Sequence, residues 1–220
     1  MLNRAVDVFI RFYPVFFAGL RMTLILSALT VILGTAIGSL ICLCRMSKFK
    51  PLSLLATAYI EIIRGTPLLL QLVFFYYAVP EIIGYDPGKF ASVLMALVLN
   101  SSGYVAEIIR AGIQAVDKGQ TEAARSLGLN PSQTMMKVVF PQAIKNILPT
   151  LGNEFVMVIK ETSLASNFFL GDLMTSVSII KSATYSTIEP LIVAGVIYFA
   201  CTFPLSKIIA LYERRLATSD

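Results

Sequence analysis

The sequence predicts an all-α membrane protein with about five transmembrane helices, because its composition is apolar and its apolar residues form long segments. Of its 220 residues, 56% are hydrophobic and 14% are charged, whereas a soluble domain carries about 25% charged residues. The mean hydropathy is +0.77. Apolar segments of about 20 residues recur along the chain, which is the length that an α-helix needs to cross a hydrocarbon core of about 30 Å. A soluble globular fold would have to bury every one of them completely, so the composition excludes that class.

Five segments are candidates for these helices, and together they leave room for one membrane domain covering 1–220. From the N-terminus they are 22–44, 52–80, 90–112, 146–170 and 190–211. The second is longer than a span requires and contains Gly65 and Pro67, which predicts a kink or a break. In the first, Gly34 and Gly38 form a GxxxG pair, which favours close packing against another helix and, much more weakly, dimerisation.

Residues 1–21 precede the first apolar segment and differ from it in composition. They combine Arg4, Asp7 and Arg11 with aromatic residues, a mixture typical of an amphipathic helix at the membrane interface. No small-residue cleavage pattern follows, and further apolar segments come later in the chain. We therefore expect the first transmembrane segment to be retained and not removed as a signal peptide.

The connections between the segments differ in their content of Lys and Arg, and this difference predicts the orientation. One set of connections contains most of these cations: Arg45, Lys48, Lys50, Arg110, Lys118, Arg125, Lys137, Lys145, Lys207, Arg214 and Arg215. The other set, which includes the N-terminus, contains Arg4, Arg11, Arg21, Lys89 and Lys181. Because cytoplasmic connections are enriched in Lys and Arg, we expect the N-terminus outside and the C-terminus in the cytoplasm. The net charge of +5 is then an orientation signal and requires no nucleic-acid partner.

The longest connection on the predicted cytoplasmic side, 113–145, contains helix signals of its own. Asp117 can cap a helix N-terminus, Gly128 suits a left-handed C-terminal turn, and Asn130 is followed by a proline that prevents continuation. We expect a second short helix from about Ser132 that ends near a further proline, Pro141.

Small residues in the first of these helices predict a docking surface. We expect Ala123, Ala124 and Ser126 to be exposed, which would give the helix a low, smooth face on which another protein can seat. An ordinary cytoplasmic connector is the alternative, and the residues alone leave both interpretations open.

The sequence has no residues arranged for catalysis or metal binding. It contains no histidine and no G-x-x-x-x-G-K-[ST] motif that would hold ATP phosphates. Cys42, Cys44 and Cys201 lie in apolar segments, where thiols pack as small hydrophobic groups, and their spacing does not match a zinc site. We therefore predict no catalytic residue, no metal site and no cofactor bound by this chain.

Connection 113–145 resembles the EAA loop of importer-type ABC transporter permeases. The matching positions are Glu122, Ala123, Ala124, Gly128, Val138, Phe140 and Pro141, with Val138 and Phe140 in place of the commoner Ile and Leu. Other stretches resemble the polar amino acid permease subfamily: Glu61 to Gln71, Asn100 to Ile113, Pro141 to Ile144, Leu148-Pro149 and Gly152 to Glu154. These matches cover nearly the whole chain at family-like spacing.

This resemblance implies a fold, a coupling site and a set of partners. The fold would be that of type I ABC importer permeases, in a prokaryotic plasma (inner) membrane, with 113–145 providing a coupling helix. The partners would be an ATPase subunit that binds ATP and Mg, a second permease subunit (identical or related), and an external solute-binding protein. The residues implied in ATPase coupling are Glu122, Ala123, Ala124, Ser126, Gly128 and Pro141.

Polar residues within the predicted spans are candidates for a translocation pathway. Asn100, Tyr104 and Glu107 share one helix face, and Glu154 and Glu161 share another; Ser102 lies beside the first set. Charged groups in a bilayer are costly unless they are paired or face a wet cavity, so these stripes can line a pathway. The alternative is structural pairing: of Arg64 with Glu61 or Glu107, and of Lys160 with Glu161.

The acidic residues favour a cationic amino acid, such as arginine or lysine, as the substrate. Glutamine or another polar amino acid, and a cystine-like or opine-like solute, remain alternatives, because the Asn153-Glu154 pair resembles polar amino acid permeases in general. A channel or a secondary transporter that works without an ATPase is a further alternative, but it would not need a docking loop.

Overall fold

The computed structural model describes residues 2–217, and all regular secondary structure in that part of the chain is helical. The predicted domain 1–220 also includes residues 1 and 218–220, which lie outside the described part. The α-helices are α1 Leu2–Arg45, α2 Lys50–Gly65, α3 Leu68–Val73, α4 Val79–Ile83, α5 Lys89–Gln114, α6 Lys118–Ser126, α7 Pro131–Thr134, α8 Phe140–Glu161, α9 Leu173–Thr184 and α10 Ile188–Ala217. Wider π-turns occupy Phe74–Ala78 and Met135–Val139, and a 3-10 helix occupies Thr162–Phe168.

The predicted class, an all-α membrane protein, is confirmed. Three helices are long and apolar enough to cross a bilayer by themselves, and they are Leu2–Arg45, Lys89–Gln114 and Ile188–Arg215. Two further spans are bent pairs: Lys50–Gly65 with Leu68–Ile83 meet at 106°, and Pro131–Phe168 with Leu173–Thr184 meet at 46°. Counting each pair once gives up to five spans.

The first helix is longer than the first predicted span. α1 runs from Leu2 without a break at residue 22, and its one non-helical residue is Phe12, two positions before Pro14. The helix therefore shows no break at residue 21, and the division into an interfacial segment 1–21 and a first span stays a prediction. Ala5 and Phe16 belong to a buried cluster with residues of α9 and α10, so this segment packs on the helical bundle. Its position at the membrane interface remains a prediction.

The predicted break in the second span is confirmed. α2 ends at Gly65, Thr66 is extended (φ −119°, ψ 146°), and Pro67 caps α3. A proline disfavours the helical conformation in the residue before it and has no N–H to continue the hydrogen-bond ladder. The chain therefore turns by 106° inside the membrane domain.

The central helix is α5, and α1 packs closely against it. A Cβ atom at Gly38 would lie 2.7 Å from the Ser102 carbonyl oxygen, and one at Gly34 would lie 3.0 Å from Ser101. The GxxxG pair therefore contacts a helix of the same chain, as the packing interpretation predicts. Larger residues at Gly34 and Gly38 would push α1 away from the helix that carries Asn100.

The region between the fourth and fifth predicted spans contains a helix that the sequence reasoning missed. The sequence of α9 is LMTSVSIIKSAT. This helix is too short and too rich in Ser and Thr to be recognised as a membrane span. It begins at Leu173, and the carboxylate of Asp172 caps it by accepting from the Met174 N–H at 2.9 Å. The fourth predicted span, 146–170, thus continues beyond a bend into α9.

Candidate functional site

The predicted helix in connection 113–145 is present as α6. Its N-terminus is capped by Asp117, whose Oδ1 accepts from the Gly119 N–H at 2.7 Å. Its C-terminus is followed by Gly128 in the left-handed conformation, with φ of +85°. Asn130 and Gln133 form a capping box that starts α7. Both ends of α6 therefore follow from local sequence signals.

The face that α6 exposes differs in one residue from the prediction. Glu122, Ala123, Ser126 and Gly128 are exposed, but Ala124 is only 4% exposed. α6 packs against the π-turn Met135–Val139, so the helix has a buried side that its sequence alone does not reveal. The prediction that Ala124 is exposed is wrong.

Sequence reasoning overlooked the most exposed apolar side chain at this surface. Leu127, between Ser126 and Gly128, is 84% exposed. The π-turn adds Met136, and the start of α8 adds Phe140, which are also exposed. An apolar residue directly before a C-terminal glycine is the signal that could have identified Leu127. The exposed surface of α6 therefore consists of small residues on one side and of an apolar side chain at its C-terminal end.

The second short helix does not end at Pro141, contrary to the prediction. The chain stays helical from Pro131 to Phe168, and Pro141 lies in the first turn of α8. The π-turn before it makes this possible, because the Phe140 N–H donates to the Met135 carbonyl, and a proline early in a helix needs no N–H donor. α8 is thus directly continuous with the segment that supports α6.

Gln142 connects α6 to α8. Its amide Nε2 donates to the Val138 carbonyl at 2.9 Å and to Gln120 Oε1 at 3.3 Å. Gln120 belongs to α6, and Gln142 belongs to the first turn of α8. A displacement of α6 would therefore be passed to α8 through this amide as well as through the chain.

Glu154 of α8 meets α5 in the middle of the membrane domain. Ser101 donates to Glu154 Oε1 at 3.1 Å, and Glu154 is 7% exposed. Ser101 lies near the midpoint of α5, Lys89–Gln114. Within the described residues, Glu154 takes part in no ion pair. Its carboxylate is therefore held by a neutral hydroxyl alone.

Asn100 contacts the break in the second span. Its Nδ2 donates to Gln71 Oε1 at 2.9 Å. The Nε2 of Gln71 in turn donates to the Ile63 carbonyl and to Thr66 Oγ1, both at 2.8 Å. Gln71 thus satisfies polar groups that the break leaves without helical partners. Asn100 and Gln71 join α5 to both halves of the broken span.

Ser102 also contacts the second span. Its hydroxyl donates to the Leu99 carbonyl at 2.8 Å and lies 2.8 Å from the Tyr59 hydroxyl. Ser102 is fully buried, so it serves the contact of α5 with α2 in this structure.

Glu107 lies among three arginines. Arg45 of α1 contacts it at 2.5 Å, Arg110 forms a second ion pair, and Arg64 approaches to 3.9 Å. The predicted pairing of Glu107 with Arg64 is therefore present, although Arg45 and Arg110 are its closer partners. Glu107 differs from Glu154 in that its charge is compensated within the chain.

A cleft opens beside these residues. It has a volume of about 580 Å³, and its wall includes Arg64, Tyr104, Glu107, Asn146, Thr150 and Glu213. Arg64 lies 5.6 Å from the centre of the Tyr104 ring. Thr150 of the wall precedes Glu154 by about one helical turn, and Glu154 itself is not part of the wall. It lies at the end of α5 and α8 that the charge distribution predicts to be cytoplasmic.

Other predicted pairs are not formed. Within residues 2–217, neither Lys160 nor Glu161 takes part in an ion pair, and Glu61 is not the partner of Arg64. Lys160 is exposed and Glu161 is half-buried. The structure brings Tyr104 and Glu107 into one cleft and leaves Asn100, Ser102, Glu154 and Glu161 outside its wall.

Comparisons with known proteins show which family the chain resembles. The family model described as binding-protein-dependent transport system inner membrane component matches residues 30–218. The arginine transport system permease protein ArtQ of Bacillus subtilis (strain 168) is 41% identical over 207 residues, which cover 94% of each chain. The putative glutamine transport system permease protein GlnP of Rickettsia bellii (strain RML369-C) is 43% identical over 201 residues, covering 91% of this chain and 92% of that protein. A crystal structure of an amino acid ABC transporter with histidines has a TM-score of 0.91 at 50% identity, covering 94% of this chain and 96% of that chain.

Proposed function

Because this chain belongs to the family of binding-protein-dependent transport system inner membrane components, we propose that it conducts a cationic amino acid and takes its energy from an ATPase docked on α6. It is a permease subunit of an amino acid ABC importer and has no ATPase site of its own. The cation preference, the docking residues and the pathway residues are the parts that we propose.

The observation that carries the cation preference is the uncompensated carboxylate of Glu154. A charged group in a bilayer needs a partner of opposite charge or contact with water. Glu107 has arginine partners, whereas the one partner of Glu154 within the described residues is the Ser101 hydroxyl. An ammonium or guanidinium group of the cargo would supply the missing charge. Similarity to an arginine transport permease supports this preference, while similarity to a putative glutamine permease supports a neutral polar cargo.

We propose a pathway along α5 and α8. From the cleft it would pass Tyr104 and reach Glu154 one turn beyond Thr150. Asn100 and Ser102 would shape its wall through their contacts with the broken span. Glu107 would fix the positions of the arginines at the cleft and would not bind cargo, because its oxygens already accept hydrogen bonds from Arg45 and Arg110.

Coupling to the ATPase would occur at the exposed surface of α6. Glu122, Ala123, Ser126 and Gly128 are exposed there, and Leu127 provides an apolar side chain that can enter a pocket of the partner. Ala124 and Pro141 would contribute indirectly: the buried Ala124 would fix the position of α6, and Pro141 would fix the start of α8. ATP and Mg would be bound by the ATPase, whose movement α6 would transmit to α8.

The remaining partners follow from the family and from the charge distribution. The binding protein would deliver cargo to the outer side, where we expect the N-terminus. The ATPase would bind in the cytoplasm, on the same side as the C-terminus. A second permease subunit would complete the pathway, because up to five spans enclose little space by themselves.

The test of the cargo is uptake by the complete complex reconstituted with its ATPase and binding protein. Glu154→Gln keeps the size of the side chain and removes its charge. We expect uptake of arginine or lysine to fall about tenfold or more, as loss of roughly 1.4 kcal/mol of binding implies, and uptake of glutamine to change much less. Competition among unlabelled amino acids in the wild-type complex identifies the preferred cargo.

The matched control is Glu81→Gln, at an exposed glutamate of α4. It should leave uptake of every amino acid unchanged. Equal losses for arginine and glutamine in Glu154→Gln would refute cation recognition by this residue. Preferential competition by glutamine in the wild-type complex would favour the neutral polar cargo.

A further inference from the structure

A second cavity lies between α6 and the ends of the two membrane helices that flank it. It has a volume of about 810 Å³. Its wall is formed by the end of α5, by one side of α6, by α7 and by the π-turn Met135–Val139. The described residues of this wall include none of those that we propose for ATPase docking. We call it the α6 cavity, and the proposed function gives it no role.

The charged residues of the α6 cavity are all positive. They are Lys118 and Arg125, and no carboxylate lines the cavity among the described residues. These two cations and Thr121 share one side of α6, since seven residues make about two helical turns. Arg125 donates to the Leu129 carbonyl, but neither cation takes part in an ion pair within residues 2–217. The cavity therefore carries two uncompensated positive charges.

The cleft beside Glu107 differs in this respect. Its wall contains Arg64 and Lys145, but also the carboxylates of Glu107 and Glu213. The positive charges of that cleft thus face negative ones of the same chain. An anion from outside the chain is therefore expected in the α6 cavity and not in the cleft.

The remaining wall of the α6 cavity is largely apolar. Ile113, Val116, Met135 and Val139 line it; Val139 is buried, and the other three are half-buried. A small soluble anion gains nothing from apolar surface, whereas a hydrocarbon chain next to the anion would be removed from water there. The wall therefore suits a ligand that is anionic at one end and apolar at the other.

The length of α5 places the α6 cavity at the surface of the bilayer. α5 has 26 residues, which correspond to about 39 Å of helix. The hydrocarbon core is about 30 Å thick, and the bilayer with its headgroup layers is about 40–45 Å thick. The two ends of α5 therefore lie in the headgroup layers. Ile113 and Gln114, at the end of α5, line the cavity, so its wall reaches phospholipid headgroups.

We propose that the α6 cavity binds an anionic phospholipid, with the phosphate between Lys118 and Arg125 and the start of an acyl chain against Met135 and Val139. A guanidinium group can donate two parallel hydrogen bonds to a phosphate, and an ammonium group adds a compact charge. Basic pockets beside membrane helices recognise anionic headgroups in this way. A lipid held there would tie α6 to the bilayer surface. This site is additional to the proposed cargo pathway and ATPase contact.

The test counts the lipid that the complex of permease and ATPase retains. The complex is purified in a neutral detergent that contains equal amounts of phosphatidylglycerol, which is anionic, and phosphatidylcholine, which is zwitterionic, with the same acyl chains. Retained lipid is counted by mass spectrometry after gel filtration. We expect the preference for phosphatidylglycerol to fall by about a factor of five for each cation removed, and by about thirtyfold in Lys118→Gln/Arg125→Gln. Retained phosphatidylcholine should not change.

Two matched variants accompany the double variant. Lys48→Gln/Lys137→Gln removes the same charge from exposed residues on the predicted cytoplasmic side, both outside the wall of the α6 cavity. It should retain phosphatidylglycerol as the wild type does. Lys118→Arg/Arg125→Lys exchanges the two cations and keeps both charges, so it should retain most of the preference.

Three results would overturn the proposal. The first is an equal preference for phosphatidylglycerol in the wild type and in Lys118→Gln/Arg125→Gln. The second is loss of retained phosphatidylglycerol in inorganic phosphate but not in chloride of the same ionic strength, which would assign the cavity to soluble phosphate. The third is loss of the ATPase from the double variant purified without phospholipid, which would mean that the two cations contact the ATPase. None of these measurements requires cargo, so the outcome is independent of the cargo preference.

Discussion

Two glutamates of the membrane domain show how neighbours decide the role of a side chain. Glu107 accepts from Arg45 and Arg110 and is close to Arg64, so it joins α1, α2 and α5 at one point. Glu154 has a serine as its hydrogen-bond partner and lies where its charge is most costly. The first is suited to holding helices together, and the second is suited to meeting a positively charged cargo.

Gly128 is a position where the backbone limits the choice of residue. Its φ is +85°, and a Cβ atom there would meet nothing within 4 Å. A valine would therefore be disfavoured by its backbone conformation and not by crowding, at a cost of about 1–3 kcal/mol. We expect Gly128→Val to shift the turn that carries Leu127. Cargo would then no longer stimulate ATP hydrolysis, and uptake would fall. Membrane insertion should be unchanged.

The control for this change is Gly84→Val. Gly84 also ends a helix in the left-handed conformation, with φ of +67°, and has equally open surroundings. It belongs to the connection after α4, on the opposite side of the predicted topology. Parallel measurements of ATP hydrolysis and uptake should show a loss for Gly128→Val alone. Normal coupled uptake by that variant would contradict docking at α6.

Among the elements, the broken second span depends on one amide. Gln71 donates to Ile63 and Thr66 and accepts from Asn100. Gln71→Met keeps the length of the side chain and removes these hydrogen bonds, which leaves polar groups unsatisfied in the membrane interior. We expect the complex to be destabilised by about 1–3 kcal/mol, measured as a lower midpoint of thermal unfolding in detergent.

Leu70→Met is the comparison for this variant, because Leu70 is the exposed neighbour of Gln71. It introduces the same side chain without removing a hydrogen bond. A midpoint for Gln71→Met equal to that of Leu70→Met would mean that the amide does not hold the break together. The measurement also separates this role from cargo binding, since it needs no transport.

Local signals predicted the elements that depend on local chemistry. Pro67 predicted the break, Asp117 and Gly128 predicted both ends of α6, and the GxxxG pair predicted close packing. Burial of Ala124 depends on a π-turn whose hydrogen-bond pattern the sequence does not show. The continuation of the helix through Pro141 depends on the same turn. Both errors therefore arise from one irregular segment.

Long-range contacts explain most of what the sequence did not reveal at the candidate site. Arg45 and Glu107 are 62 residues apart, and helix-face arguments relate only residues of the same helix. The packing of α8 against α5 made clear that Glu154 lies on its buried side and Lys160 on its exposed side. Glu154 is buried and Glu161 is half-buried, and their predicted common role as a stripe along a pathway stays a prediction.

For the whole molecule, the orientation in the membrane is a prediction that chemistry can test. Single cysteines at Thr187 and Ser132, introduced after replacing the three native cysteines, would lie on opposite sides. A membrane-impermeant thiol reagent should label Thr187→Cys in right-side-out vesicles and Ser132→Cys in inside-out vesicles. Both parent residues are exposed, so access to the reagent depends on topology. The reverse labelling pattern would contradict the charge-based orientation.

The unbroken path from the π-turn into α8 has a mechanical consequence. The segment from Pro141 to Glu161 is one helix about 30 Å long that contains Pro149, and a tilt of about 10° at its base would move its far end by about 5 Å. A small movement of α6 would thereby become a displacement about as large as an amino acid side chain. Because a proline inside a helix removes a backbone hydrogen bond and favours a kink, the stiffness of α8 at Pro149 would set how much of each ATPase movement reaches Glu154.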